Sequence, residues 1–212
     1  MADLIPTKEE LQKAFEERHG KELQKLFADA VVAVCGLGGL GSNIAVSLAR
    51  AGIGKLIIAD FDKVDITNLH RQQYKANQIG EYKANALKQN LQEISPYIEI
   101  EEHITKITEE NISDIVGEAD IICEAFDKAS EKSVLVNAVS EKYPDKYLVA
   151  ASGMAGIGSP NLITTRRVTK HFYLCGDGVS DVDSTNGLFA PRVMLCAAHQ
   201  AQTVLRILAN AE

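Results

Sequence analysis

Closely spaced cysteines are missing from this chain. Cys35, Cys123, Cys175 and Cys196 are its four, and no two of them form a C-x-x-C pair. That excludes a zinc knuckle and a dense disulfide framework, and it suits a reducing, cytoplasmic compartment. The five histidines show no H-x-x-H or H-E-x-x-H spacing, so helical metal sites are not expected either. Glycine and proline number only 15 and 5 in 212 residues, with 46% apolar and 24% charged residues, which rules out collagen, low complexity and disorder. Cations do not predominate: 22 Lys and Arg face 29 Asp and Glu, and at a net charge of -7 a broad nucleic-acid footprint is disfavoured. The first twenty residues mix charges where a signal peptide would be apolar, so they read as mature sequence. No uninterrupted apolar run reaches membrane length. The most apolar late stretch, residues 190–209, contains Arg192, His199, Gln200 and Arg206 and reads as an amphipathic packing helix.

What remains is ordinary globular composition at a length that suits one α/β domain. Thr7 followed by Glu10 is a capping-box signature opening a helix to about His19, and Gly20 separates it from a second turn over residues 22–27. This gives an N-terminal helical arm, residues 1–28. The apolar run VVAVC (31–35), a glycine loop, a helix over 42–51 and the run KLIIA (55–59) form a βαβ unit whose strands suit a parallel sheet covered on both faces. Residues 60–80 are polar and irregular. Helices are expected over 83–94, around 110–116 and over 130–143, alternating with strands over 97–104, 119–125 and 146–151. The expected fold is a Rossmann-like, doubly wound, mainly parallel sheet, with a nucleotide-binding core over 29–151. Beyond Ser152 the pattern changes. NLITTRR is a candidate strand, and the stretch to about Gly187 reads as loop, so residues 152–212 are expected to form a loop-rich extension closed by the last helix.

Gly36, Gly38 and Gly41 in CGLGGLGS satisfy G-x-G-x-x-G between a strand and a helix. Such a loop turns tightly and lets a phosphate approach main-chain N–H groups at a positive helix end. Asp60 closes the second strand nineteen residues after Gly41, where a carboxylate normally accepts from ribose hydroxyls. These features fit NAD as well as ATP. Asp62, Asn68, Arg71 and Gln72 follow in DFDKVDITNLHRQQY, with His70 among them, and Lys83 opens the next helix. Two cations near a phosphate loop suit triphosphate chemistry better than a flat nicotinamide. Taken singly, Arg71 and Lys83 are equally explained as solvated surface charges.

GLGGLGSNIA, DFDKVDITNLHRQ, GEYKA and the acid after ADIICEAFD together resemble, in order, four signatures of the ubiquitin-activating-like adenylyltransferases that include ThiF, MoeB and HesA. ASGMAGIGSPN and the short zinc-free tail look most like the compact ThiF-type branch. The resemblance implies an enzyme that uses Mg²⁺ and ATP to adenylate the C-terminal Gly-Gly carboxylate of a small ubiquitin-like sulfur carrier, with thiamine biosynthesis the preferred pathway. It further implies nucleotide contacts from Gly36, Gly38, Gly39, Gly41, Asp60, Asp62, Asn68, Arg71, Gln72 and Lys83. Asp127 would be the carboxylate that positions the metal, a homodimer would be the working form, and Arg18 would act from the neighbouring protomer.

Each implication has a plainer counterpart. Asp127 is also a candidate N-cap for the helix near Ser130, and Arg18, the sole arginine in the first 49 residues, is also a candidate exposed helix charge paired with Glu10 or Glu22. Cys175, the one late loop cysteine, lacks a partner that would lower its pKa and reads as a structural thiol, while Cys35 and Cys123 read as core. Arg166, Arg167 and Lys170 form a small basic cluster that could steer an acidic carrier or simply be solvated. Rival functions are activation of a molybdopterin-type carrier or other small substrate, a nicotinamide oxidoreductase, and a non-catalytic nucleotide-sensing scaffold.

Overall fold

The computed structural model describes residues 5–183 and 187–211. Its strands are β1 (Val31–Cys35), β2 (Lys55–Ala59), β3 (Glu99–His103), β4 (Ile121–Glu124), β5 (Tyr147–Ala151), β6 (Thr164–Arg167) and β7 (Phe172–Gly176). They form one sheet in the order β3-β2-β1-β4-β5-β7-β6. All neighbours are parallel except β6, which runs antiparallel to β7 at the edge. The helices are α1 (Lys8–His19), α2 (Lys21–Asp29), α3 (Gly39–Ala51), α4 (Lys83–Ile94), α5 (Ile112–Val116), α6 (Ala129–Lys142) and α7 (Ala190–Leu208).

The strands are apolar on both sides because both sides are covered. Alternate residues divide between two cores: Val32, Val34, Leu56, Ile58 and Val149 pack with α3, α4 and α7, whereas Ala33, Cys35, Ile57, Ile122 and Leu148 pack with α5 and α6. A one-residue slip would exchange the two sets, so the register is held from both faces. No described helix is long and apolar enough to cross a membrane. The amphipathic α7 instead lies along α3 and against β5, β6 and β7.

The capping box at Thr7 forms: its hydroxyl accepts from Glu10 N at 3.2 Å, and the Glu10 carboxylate accepts from Thr7 N at 2.8 Å. Helix α1 buries no residue. α2 anchors the arm through Phe27 and through Gln24, whose amide donates to Gly52 O at 3.2 Å. A cavity of about 500 Å³ lies between the arm and the amino ends of the first three strands, near Val31, Lys55 and Glu99.

Two expectations about the last third are corrected. The stretch read as loop contains β7, which extends the parallel array beside β5 (Leu148↔Phe172 through Ala151↔Cys175). Cys175 therefore sits in a strand, fully buried, and burial pushes its thiol pKa upward. The signal was weak because β6, TTRR, is exposed at all four positions and shows no apolar face. Its polar, cationic side chains suit an edge that must not recruit another strand. The expected helix over 42–51 also begins earlier, at Gly39, so the end of the glycine loop is its first turn.

Around α7, Arg192 fastens the segments that follow β5 and β7. Its guanidinium donates to Gly158 O and Ser159 O at 2.8 Å each and pairs with Asp177 at 2.5 Å. Both side chains are buried. Burial pushes the Asp177 carboxyl up, but main-chain donors at Ser180 and Val179, the Ser180 hydroxyl and Arg192 outweigh it and hold the pKa at about 2. A depressed carboxylate contributes stability above its ordinary pKa of 3.8 and loses it as pH falls toward 2. Asp177→Asn is expected to melt below the parent at pH 7, with the gap narrowing between pH 4 and pH 2. Thermal melts across that range check this, and a gap that does not change with pH would refute it.

Candidate functional site

Strand order reverses at β1. The chain leaves β1 toward β2 on one side, while β4 pairs on the other, so the loops after β1 and β4 diverge and leave a crevice at their carboxyl ends. An open crevice of about 280 Å³ lies there. It is lined by Gly36, Gly38 and Gly39 from the loop, Asp60 and Asp62 after β2, Asn68, Arg71 and Gln72 from the irregular segment, Lys83 from α4 and Asp127 after β4.

The glycines have different jobs. Gly36 has φ +89°, and a Cβ there would lie 2.9 Å from Ala125 O. A Cβ on Gly41 would lie 1.8 Å from Gly36 O, so Gly41 closes the turn onto α3, and it does not line the crevice. Gly38 is the N-cap of α3, and its nearest potential neighbour is Gln72 Nε2 at 3.8 Å. The protein does not need that space empty; a ligand approaching the main chain would. The first turn of α3 holds no acidic residue, which leaves its positive end free for an anion.

The same turn holds the cationic segment in place. Asn43 Nδ2 donates to Arg71 O at 3.1 Å, and Ser42 Oγ accepts from Gln73 N at 3.1 Å. Arg71 Cδ and Cγ consequently lie 3.6 Å from the position of a Gly39 Cβ. The Arg71 guanidinium feels burial, which lowers its pKa, and the charge of Asp127, which raises it. Arg71 Nε and Gln72 Oε1 are buried with no hydrogen-bond partner, a costly state for polar atoms.

Asp60 and Lys83 are only 7% and 6% exposed, which removes the surface-charge reading of Lys83. Asp60 accepts from Leu37 N at 2.7 Å and from Asp62 N at 2.8 Å, leaving each oxygen a further lone pair. Lys83 Nζ lies 2.9 Å from Asp62 Oδ2 and 3.9 Å from Asp60 Oδ2. Burial raises the Asp60 pKa and the Lys83 charge opposes it. Asp127 does not cap α6, whose N-cap is Lys128 without a side-chain cap, so the plainer reading of Asp127 falls away.

Other expected residues lie elsewhere. Arg18 is exposed on α1 and does not line the crevice, while other residues of the arm pack beside the amino ends of the strands. Arg166, Arg167 and Lys170 flank the β6–β7 turn, also at that far end, and Arg167 donates to Lys170 O at 2.6 Å. His70 is exposed, and its Nε2 lies 3.2 Å from Leu188 O. Sequence reasoning missed Phe126, Glu131, Met154 and Val193 as lining residues. Only the period of α7 could have suggested Val193. No group of three or more potential metal ligands occurs among the described residues.

A glycine loop at the switch point of a parallel sheet, with Arg71, Lys83 and the carboxylates of Asp60, Asp62 and Asp127 around it, defines the class: a Rossmann-like α/β protein whose crevice opens on the positive end of a helix. The chain belongs to the ThiF family, which it matches over residues 10–212. It is 32% identical over 148 residues to the sulfur carrier protein adenylyltransferase of Thermus thermophilus, covering 68% of this chain and 49% of that protein. It is 29% identical over 195 residues to the sulfur carrier protein ThiS adenylyltransferase of Escherichia coli, covering 89% and 76%. The chain thus spans about half the length of several curated relatives it matches. Among solved structures it resembles E. coli tRNA N6-threonylcarbamoyladenosine dehydratase, TcdA, in complex with ATP, with a TM-score of 0.86 and 19% identity over 98% of either chain. At that identity the likeness is one of fold.

The two glycine environments separate in a stability measurement. Gly41→Ala is expected to lower the melting temperature sharply because main chain must move, whereas Gly38→Ala should melt close to the parent. Equal losses in both would contradict the open space at Gly38.

Proposed function

We propose that the chain is an ATP-dependent adenylyltransferase that activates the C-terminal Gly-Gly carboxylate of a small ubiquitin-like sulfur carrier of the ThiS kind, in thiamine biosynthesis. The observation that carries this reading is the convergence of Arg71, Lys83 and Asp127 on the crevice beside the glycine loop. A nicotinamide site gives those three residues no common reason.

In this reading the N–H groups of the loop and of the first turn of α3 bind the phosphate chain. The free lone pairs of Asp60 accept from ribose hydroxyls, and Asn68, Gln72, Arg71 and Lys83 line the phosphates. The carrier's carboxylate oxygen bonds to the α-phosphorus as the bond to the bridging oxygen breaks and pyrophosphate leaves. Two anions must meet, so the step is limited by charge and alignment, and no protein nucleophile is needed. Asp127 would hold Mg²⁺, which when bound offsets triphosphate charge. Asp62 keeps the Lys83 ammonium aimed at the crevice.

The second reading is activation of a molybdopterin-type carrier. It draws on 37% identity over 110 residues to the MOCS3 adenylyltransferase and sulfurtransferase of Culex quinquefasciatus. Pyrophosphate exchange with each carrier type separates the two. Asp127→Ala should abolish exchange while leaving the melting temperature near the parent's. Arg71→Ala or Lys83→Ala should lower kcat/KM about 10²-fold, the scale of losing one preorganised charge-stabilising group. Parent-level exchange in these variants would refute the assignment.

We also propose a homodimer in which Arg18 completes the neighbour's site, since Arg18 does not line the crevice of its own chain. Mixing Arg18→Ala with Asp127→Ala protein should restore exchange, because one composite site in a heterodimer then keeps both groups. No recovery despite subunit mixing confirmed by native mass spectrometry would refute the trans role, and a monomer in sedimentation would refute the dimer.

A further inference from the structure

Behind the crevice lies a charged pair that the proposed chemistry does not use. Glu124, the last residue of β4, has its side chain 1% exposed, and Lys132 of α6 reaches it with Nζ 3.0 Å from each carboxylate oxygen. The same ammonium donates to Ala151 O, at the end of β5, at 3.1 Å. Glu124 Oε1 also accepts from Phe126 N at 2.8 Å, one residue before Asp127. From the other face of the sheet, the Gln200 amide of α7 donates to Glu124 O at 3.0 Å and Val149 O at 3.1 Å. The turn at 125–127 is thereby tied to β5, α6 and α7.

That turn is also in contact with the glycine loop. Ala125 N donates to Cys35 O at 2.9 Å, and Ala125 O occupies the space that a Cβ on Gly36 would need. The position of Asp127 relative to the loop is therefore set by how firmly the 125–127 main chain is held. Burial pushes the Glu124 carboxyl up in pKa and Lys132 pulls it back. Such pairs seldom improve stability over apolar residues of similar size, so a geometric task is the better account of this one.

We infer that Glu124 and Lys132 are positioning residues that fix the Asp127 carboxylate against the glycine loop for adenylyl transfer, an inference that rests on the adenylation reading. The pair touches the turn and not the crevice, so it should govern turnover without governing nucleotide affinity.

The test compares Glu124→Leu/Lys132→Met, which removes the brace and the acceptor for Phe126 N, with Glu124→Gln, which keeps that acceptor and one contact to the ammonium. ATP affinity is read by calorimetry, kcat by carrier-dependent pyrophosphate exchange, and the 125–128 amides by hydrogen exchange with mass spectrometry. Both variants are expected to bind ATP within about twofold of the parent. The double variant should lose about 10²-fold in kcat, the scale of a ~1 Å misplacement, and Glu124→Gln about tenfold. Both should show faster exchange at 125–128. Parent-level kcat in either folded variant, or a loss of affinity equal to the loss of kcat, would overturn the inference. If the double variant does not fold, Glu124→Gln decides by the same criteria. If the parent itself exchanges no pyrophosphate with any carrier, the adenylation reading fails separately. Hydrogen exchange then decides the brace: unchanged protection at 125–128 overturns it and faster exchange supports it.

Discussion

The parallel pairing of β1 with both β2 and β4 is the constraint from which the rest of the site descends. It forces the chain to leave β1 in one direction and return to β4 in the other, and the two departing loops cannot fill the gap between them. The turn out of β1 must then be very tight, since Gly36 abuts Ala125 and Gly41 abuts Gly36. Only glycine accepts φ +89° at Gly36 together with main chain at that distance. The loop delivers the start of α3 to the crevice, and α3 in turn holds Arg71 through Asn43 and Ser42.

Charge is then arranged in depth. Asp60 with Lys83, Glu124 with Lys132, and Arg192 with Asp177 are three ion pairs with at least one buried member, each at the carboxyl end of the sheet or in the segments that cover it. Each carboxylate also accepts main-chain N–H groups, which offsets the desolvation that burial imposes. The amino end of the sheet is built differently. There Lys55 bridges three exposed or half-exposed glutamates, Glu99, Glu101 and Glu118, pairs that water screens and that contribute little. Buried charge is concentrated at the end where chemistry is proposed.

Legibility followed the strength of local signals. VVAVC and KLIIA have the observed strand bounds, because a strand buried on both faces is an unbroken apolar run. Asp60, Arg71, Lys83 and Asp127 were named from motifs, and all line one crevice. β7 was missed because its neighbour β6 exposes every side chain and the pairing that supports it comes from β5, some 24 residues earlier. Glu124 and Lys132 carry no local signal of their own, the one lying within the expected strand over 119–125 and the other within the expected helix over 130–143. Their meeting depends on α6 folding back across the ends of β4 and β5.

The sequence by itself determined the alternation of strands and helices, the glycine turn and the identity of the groups around it, since each depends on period, backbone freedom or side-chain chemistry within a few residues. The tertiary structure alone decided which glycine faces ligand space, that Lys83 is buried beside two carboxylates, that Asp127 is released from capping α6, and that Arg18 does not line the crevice of its own chain. Those outcomes depend on distances between segments far apart in the chain, set by sheet order and by helices crossing its faces, and no local pattern encodes them.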